Sequence, residues 1–456
     1  MKRLAVINVV GLTQAVLDTA PQMRAFAANG VRAAIAPAFP AVTCTAQSTY
    51  LTGTTPAQHG IVGNGWYDRT LSEVQFWKQS NKLVAGEKIW EGLRRELPGF
   101  TCAKVFWWYN MYSSADWSLT PRPMYPADGR KVFDIYTHPA SIRPDIKKEL
   151  GEFPFPAFWG PIAGIKSSQW IAESAKWVER RHQPTLNLIY LPHLDYNLQR
   201  LGPNHPDIQK DIGLIDSVVG DLISFFPKQS VEVVLLSEYG ITEVNRPIHL
   251  NRLFRDKGWI ATREELGLEL LDCGASRVFA VADHQVAHIY LNDPTLASEV
   301  RALVEKQAGV EKVLGRLEQA ALGIDHARSG DLIAVSDERS WFTYYYWQED
   351  ARAPDFARCV DIHRKPGYDP VELFVDPALT FPKVKIIGTL LRKKLGFRTL
   401  MNVIPLDATL VKGSHGRIPA IGDYPLFIAQ NSPGKLPPVI EAVDVAGHLK
   451  SMVQRT

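Results

Sequence analysis

The chain has 456 residues, of which 46% are hydrophobic, 22% charged and 10% aromatic, an ordinary globular composition. Lys+Arg 51 stand against Asp+Glu 48, and a net charge of +3 gives no electrostatic argument for a nucleic-acid or membrane partner. Four widely spaced cysteines without a CxxC pair speak against a disulfide framework or a thiolate zinc site, and the length suggests one large domain with insertions or two domains.

The N-terminal "MKRLAVINVVGL" sets two basic residues before a short apolar run, which breaks at Gly11 and is followed by polar Thr13, Gln14 and Asp18. That pattern is read as a first strand beginning at about Lys2 and not as a signal peptide, and a cytoplasmic protein is expected. Apolar runs at Leu4–Val10, Ala33–Ala38, Cys102–Trp108, Leu186–Leu191 and Val231–Leu236 predict strands covered on both faces. Helical patterns at Thr13–Ala28, Ala46–Thr52, Glu87–Leu97, Ser167–Arg181 and Ile208–Phe226 fall between them. The alternation predicts an α/β fold with a doubly wound, mostly parallel central sheet, whose ligands bind at the carboxyl ends of the strands.

The stretch Pro121–Pro161 is rich in Pro, Gly and aromatic residues and predicts a cap-like loop insertion near 109–165. Strand, helix and strand patterns at Val286–Leu291, Leu296–Gln307 and Gly309–Leu314 predict a compact βαβ-like insertion. The expected division is therefore a main core over 1–282, the insertion over 283–328, and the rest of the core over 329–456. A local basic cluster, "LLRKKLGFR" (Leu390–Arg398), reads as a solvated helix end.

The residues just after the predicted strands carry the chemistry. Asn8 lies on the first strand, and Thr43, Cys44, Thr45 and Ser48 follow the second. "PHLDYNLQRLGP" (Pro192–Pro203) offers His193, Asp195 and Gln199, and "SEYGIT" (Ser237–Thr242) offers Glu238 and Tyr239. "GSHGR" (Gly413–Arg417) frames His415 with glycines. Carboxylates and imidazoles gathered at one sheet edge can hold divalent cations, and a hydroxyl beside a cation loses its proton more easily. Each residue alone is explained as well by a helix cap or a turn, so only the ensemble points to a site.

These residues resemble the alkaline phosphatase superfamily, and within it the type I phosphodiesterase / nucleotide pyrophosphatase family. The strongest similarity is "FPAVTCTAQSTYLTGTTPAQHGIVGNGWYD" (Phe39–Asp68), where the family has a similar FP-x-x-T segment, then TG, P-x-x-HGIVGN and YD. Weaker similarities are "LDYNLQRLGP", "LLSEYGIT", "HRKPGYDP" (His363–Pro370) and "GSHG". The resemblance implies that Thr43 is a nucleophile bridging two metal ions, often zinc. It also implies phosphate contacts from the backbone N–H of Cys44 and from Asn64, at a helix start that favours anions.

The departures from the family are as informative. Its first-strand Asp is Val10 here, with Asn8 two residues earlier on the same strand face, and its Asp-x3-His is Asp195 and Gln199. Its Asp-His pair is Glu238 and Tyr239, and its Asn three residues after the nucleophile is Ala46. Two readings stand. In one the site is rebuilt. Asp361 and His363, presented on one face of an extended "VDIHRKPGYDP", then join Asp195, Glu238 and His415 around one or two cations. Oxygen-bearing Asn8, Gln199 and Tyr239 then tilt preference from zinc toward manganese, magnesium or iron, and His193, His249, Asp283 and His284 are further candidates. In the other the site is degenerate and the protein binds a ligand without hydrolysing it. The expected activity is metal-dependent hydrolysis of a phosphodiester or pyrophosphate through a phospho-threonine, on a specialised phosphate-containing small molecule or a nucleotide.

Overall fold

The computed structural model describes residues 1–431 and 436–455. Nine strands build the central sheet: β1 (Arg3–Val9), β2 (Val31–Ala36), β3 (Cys102–Val105), β4 (Trp117–Pro121), β5 (Ile135–His138), β6 (Leu186–Leu191), β7 (Val231–Leu236), β8 (Leu426–Ala429) and β9 (Val439–Glu441). Their spatial order is β9-β2-β8-β7-β1-β6-β3-β4-β5. The middle of the sheet is parallel: β1 pairs with β6 and with β7, and β3 pairs with β6 and with β4. Strand β8 runs against β2 and β7, and β5 runs against β4.

The central strands are buried on both faces, as their unbroken apolar runs demand. Helices Ile165–His182 and Ile208–Lys228 pack together on the sheet, while Val445–Gln454 packs with Thr43–Thr52 and Ile89–Glu96. One core built on these strands and helices runs through the domain.

Four local expectations change. The helix expected over Thr13–Ala28 divides into Gln14–Asp18 and Pro21–Ala28, because Pro21 has no N–H to continue the first helix and suits the first turn of the second. The strand from Cys102 stops at Val105, and Phe106 and Tyr109 then turn the chain with φ of 65° and 52°. The segment near 109–165 is not a cap-like loop: β4 and β5 extend the central sheet, and helix Ile142–Leu150 packs on β5.

The insertion is also larger than expected. Val278–Asp283, Val286–Leu291, Leu332–Ser336 and Val310–Leu314 form, in that order, a four-stranded sheet whose neighbours are all antiparallel. The expected strand–helix–strand unit is present, with its helix at Ala297–Glu305. Leu332–Ser336 inserts between its two strands, giving a split βαβ arrangement.

Candidate active site

The cluster of polar side chains at the carboxyl edge of the sheet is set by its strands. Asn8 sits on β1, in register with Tyr190 of β6 and Leu236 of β7. Thr43 is the first residue of helix Thr43–Thr52, which follows β2. Asp195 lies in the first turn of helix His193–Leu201, after β6, and Glu238 and Tyr239 follow β7 directly. His415 enters from the loop after Gly413–Ser414. Gly416 lets that loop approach: its φ is +119°, and a Cβ there would lie 3.1 Å from the Gln285 backbone nitrogen.

Thr43 Oγ1 lies 3.0 Å from the Tyr239 hydroxyl, and Tyr239 donates at 3.3 Å to Asp195 Oδ1. The other Asp195 oxygen accepts from Gln199 Nε2 at 2.8 Å, and Tyr368 donates at 2.9 Å to Gln199 Oε1. On the far side of Thr43, Glu238 Oε1 accepts from Asn8 Nδ2 and from Gln47 Nε2, both at 2.5 Å. The backbone N–H of Trp108 holds Gln47 Oε1 at 2.7 Å. Burial lifts the Asp195 carboxyl to about 7, against the pull of its bonds from Tyr239 and Gln199. Burial likewise lifts Glu238 to about 8, opposed by its hydrogen bonds from Gln47 and Asn8.

His415 Nδ1 lies 2.7 Å from the Ala41 carbonyl, which can only accept, so the proton is on Nδ1. Its Nε2 lone pair faces Asp195 Oδ1 at 3.8 Å. Burial and neighbouring His284 keep His415 neutral. The His415 ring stacks on Tyr239 at 3.6 Å and meets His284 at 3.8 Å, and His284 stacks on Tyr368 at 3.6 Å.

Thr43, Asp195, Glu238, Tyr239, His415, Asn8 and Gln199 thus converge. Cys44 and Asn64 converge too, but on each other. The Cys44 N–H donates to Asn64 Oδ1 at 3.0 Å. Asn64 is held in turn by Asp283, which accepts from its backbone N–H at 2.7 Å and from Nδ2 at 3.0 Å. The N–H expected to face phosphate is therefore bonded within the protein.

Asp361 and His363 stand apart. Their segment forms turns instead of an extended strand, so the expected common face does not exist. A buried ion cluster fixes that segment. Lys365 Nζ lies 2.7 Å from Asp369 Oδ2 and 2.8 Å from Glu372 Oε1, which also accepts the Asp361 N–H at 2.8 Å. His363 Nδ1 turns to the Phe76 carbonyl at 3.3 Å. Of the further candidates, Asp283 and His284 border the cluster, whereas His193 pairs with Asp211 and His249 with Thr343. Sequence reasoning missed Gln47 and Tyr368. Gln47 is one helical turn beyond Thr43 and so on its face, and Tyr368 lies within the HRKPGYDP motif.

Family resemblance implies divalent metal, typically zinc, held as a pair. Among the described residues no group of three or more His, Cys, Asp and Glu side chains is arranged to hold a metal ion. The Asp195 half is partly taken up, because Tyr239 and Gln199 each donate to one of its oxygens, which leaves His415 Nε2 as the acceptor there without a donor among the described residues. The Glu238 half differs. Asn8 Oδ1 and Glu238 Oε2 are buried acceptors with no hydrogen-bond donor among the described residues, on two side chains already in contact. Thr43 adds a hydroxyl that also faces the Glu238 carboxyl. Buried lone pairs without donors call for an ion or a water, and carboxylate, amide and hydroxyl oxygens suit a hard cation.

Three comparisons bear on this arrangement. An uncharacterized pyrophosphatase/phosphodiesterase of Schizosaccharomyces pombe is 26% identical over 230 residues, which are 48% of this chain and 40% of that protein. The chain thus matches about two fifths of the length of that curated relative. Murine ectonucleotide pyrophosphatase / phosphodiesterase 5, solved also as an inactive form in complex with AMP, superposes with a TM-score of 0.61 at 15% identity, covering 100% of this chain and 96% of that one. Phosphonoacetate hydrolase of Sinorhizobium meliloti 1021, in complex with phosphonoformate, superposes at 0.63 with 15% identity, covering 99% and 96%. These two likenesses concern the fold. The model of the family described as type I phosphodiesterase / nucleotide pyrophosphatase matches residues 4–369, most of the chain, and the protein belongs to that family.

Proposed function

We propose that this protein hydrolyses a phosphodiester or pyrophosphate bond in a small molecule, with Thr43 as the attacking group and a phospho-threonine as intermediate. Family membership assigns it to the phosphodiesterase-type hydrolases. The single observation that carries the mechanism is the line Thr43–Tyr239–Asp195, linked at 3.0 and 3.3 Å.

In the first half-reaction the Thr43 oxygen bonds to phosphorus and the leaving oxygen departs, taking a proton from solvent. Thr43 gives its proton to the Tyr239 oxygen while Tyr239 passes its own to Asp195. An acceptor lifted to about 7 by burial is suited to that role near neutrality. In the second half-reaction water attacks phosphorus and releases a proton to solvent, the bond to Thr43 breaks, and the relay returns the proton to Thr43. Asn8, Glu238 and Thr43 are the residues that would hold one divalent cation. When bound there, such an ion offsets phosphoryl charge and acidifies the Thr43 hydroxyl. The all-oxygen donor set favours magnesium or manganese over zinc.

A second reading, a ligand-binding protein on a phosphatase scaffold, has one observation in its favour: Thr43 is only 4% exposed and the Cys44 N–H is already bonded to Asn64. Aryl phosphodiester turnover by wild type and by Thr43→Ala and Thr43→Ser separates the two. The hydrolase reading expects the Ser variant to work and the Ala variant to fail. Equal residual rates in all three would leave the binding reading.

A further inference from the structure

The segment after the buried Lys365 cluster carries an exposed helix, Pro382–Lys394, with no buried residue. A surface helix ordinarily turns its apolar stripe to the core and its polar stripe to water. Here the order is inverted. Half-buried Ile386 packs against the core cluster behind it. Val384, Ile387, Leu391 and Leu395, spaced to share the opposite face, are 67%, 57%, 57% and 76% exposed. Exposed Phe381 and Phe397 bracket the stripe.

Charge is arranged around that stripe. At 100° per residue, Lys383 and Lys394 fall on one flank of it and Lys385 and Arg392 on the other. Between Asp376 and Asp407 the sequence holds six Lys and Arg residues and no Asp or Glu. An apolar face edged on both sides by long basic side chains can sink into the acyl boundary while the charges reach the headgroups. Among the described residues no helix is long and apolar enough to cross a membrane, so the contact the helix offers is with the surface.

We propose that Pro382–Lys394 is an interfacial helix that docks this protein on a membrane surface rich in anionic lipid. The whole-chain charge balance gives no argument for a membrane partner, but the charge is segregated and the patch is locally basic. The proposal is independent of the reading of the Thr43 site.

The test is flotation of the full-length protein with vesicles of phosphatidylcholine alone or of phosphatidylcholine with phosphatidylglycerol, at low and high salt. Two variants accompany it, Ile387→Asp with Leu391→Asp, and Arg392→Ser with Lys393→Ser and Lys394→Ser. Thermal melts confirm folding and gel filtration reports self-association. Wild type is expected to float with the anionic vesicles and to be released by salt. Removing three basic residues should weaken partitioning on the order of a hundredfold. The double aspartate variant should also lose binding while melting as wild type. Failure to float with anionic vesicles would overturn the proposal, as would binding that ignores both substitutions. A wild-type dimer that the aspartate variant dissociates, without vesicle binding, would assign the face to a second copy instead.

Discussion

The hydroxyl of Tyr239 lies 3.0 Å from Thr43 Oγ1 and donates to Asp195 Oδ1 at 3.3 Å. The family resemblance implies an imidazole at this position, bonded to metal. A phenol reaches further than an imidazole and brings its own proton, so the side chain links Thr43 to Asp195 directly.

Replacing Tyr239 by Phe therefore removes the relay and little else. The ring still stacks on His415, so the fold should hold. Turnover of an aryl phosphodiester is expected to fall about 100-fold to 10,000-fold, the usual size of general acid–base catalysis, with an unchanged melting temperature. A variant with wild-type turnover would show that the relay has no role.

Glu238→Gln separates cation binding from folding. The amide oxygen can still accept from Asn8 or Gln47, but the charge that would hold a divalent ion is gone. Manganese should raise the melting temperature of wild type and leave that of Glu238→Gln unmoved, because a ligand stabilises only the state that binds it. The same shift in both proteins would place the ion elsewhere.

The charges around Thr43 also order the substrates. The side chains bonded to Asp195 and Glu238 are neutral amides and a phenol. A monoanionic diester asks for less compensating charge than a dianionic monoester. The expected outcome is a higher kcat/KM for bis(p-nitrophenyl) phosphate than for p-nitrophenyl phosphate, measured side by side. A monoester preference would contradict this electrostatic account.

Lys104 gives a pH dependence of stability away from the site. It lies on β3, fully buried, with Nζ donating to the Trp108 and Tyr109 carbonyls at 3.0 Å each, and burial lowers its pKa to about 7. Above pH 7 the folded chain has released a proton that the unfolded chain keeps until about 10.5. Stability should therefore rise with pH across that window, by up to about 1.4 kcal/mol per unit from this group. Urea unfolding of wild type and Lys104→Met between pH 7 and 10 checks it. The variant should lose that part of the slope, so that its stability relative to wild type falls as pH rises from 7 to 10.

Much of this was legible in the sequence, for physical reasons that differ by element. The runs Leu186–Leu191 and Val231–Leu236 coincide with β6 and β7, because strands covered on both faces carry a continuous apolar signal. Short β4, β5, β8 and β9 gave no such run and went unseen. Thr43, Asp195, Glu238 and Tyr239 could be read because each follows a strand at the one edge where a doubly wound sheet builds its sites. Asp361 and His363 could not be placed, because the buried Lys365 cluster that turns their segment is a tertiary contact. The basic helix at Pro382–Lys394 was visible as composition, but which of its faces meets the core was not.

Tyr239 and Gln199 would take the place of one cation beside Asp195, while Asn8 and Glu238 offer another, beside Thr43, acceptors that have no donor among the described residues. Elemental analysis of purified protein equilibrated with manganese, magnesium and zinc tests this most directly, with aryl phosphodiester turnover followed before and after chelation. The expected result is one divalent ion per chain, magnesium or manganese in preference to zinc, lost in Glu238→Gln and kept in Tyr239→Phe. Two zinc ions per chain, or full activity with no bound ion at all, would contradict it.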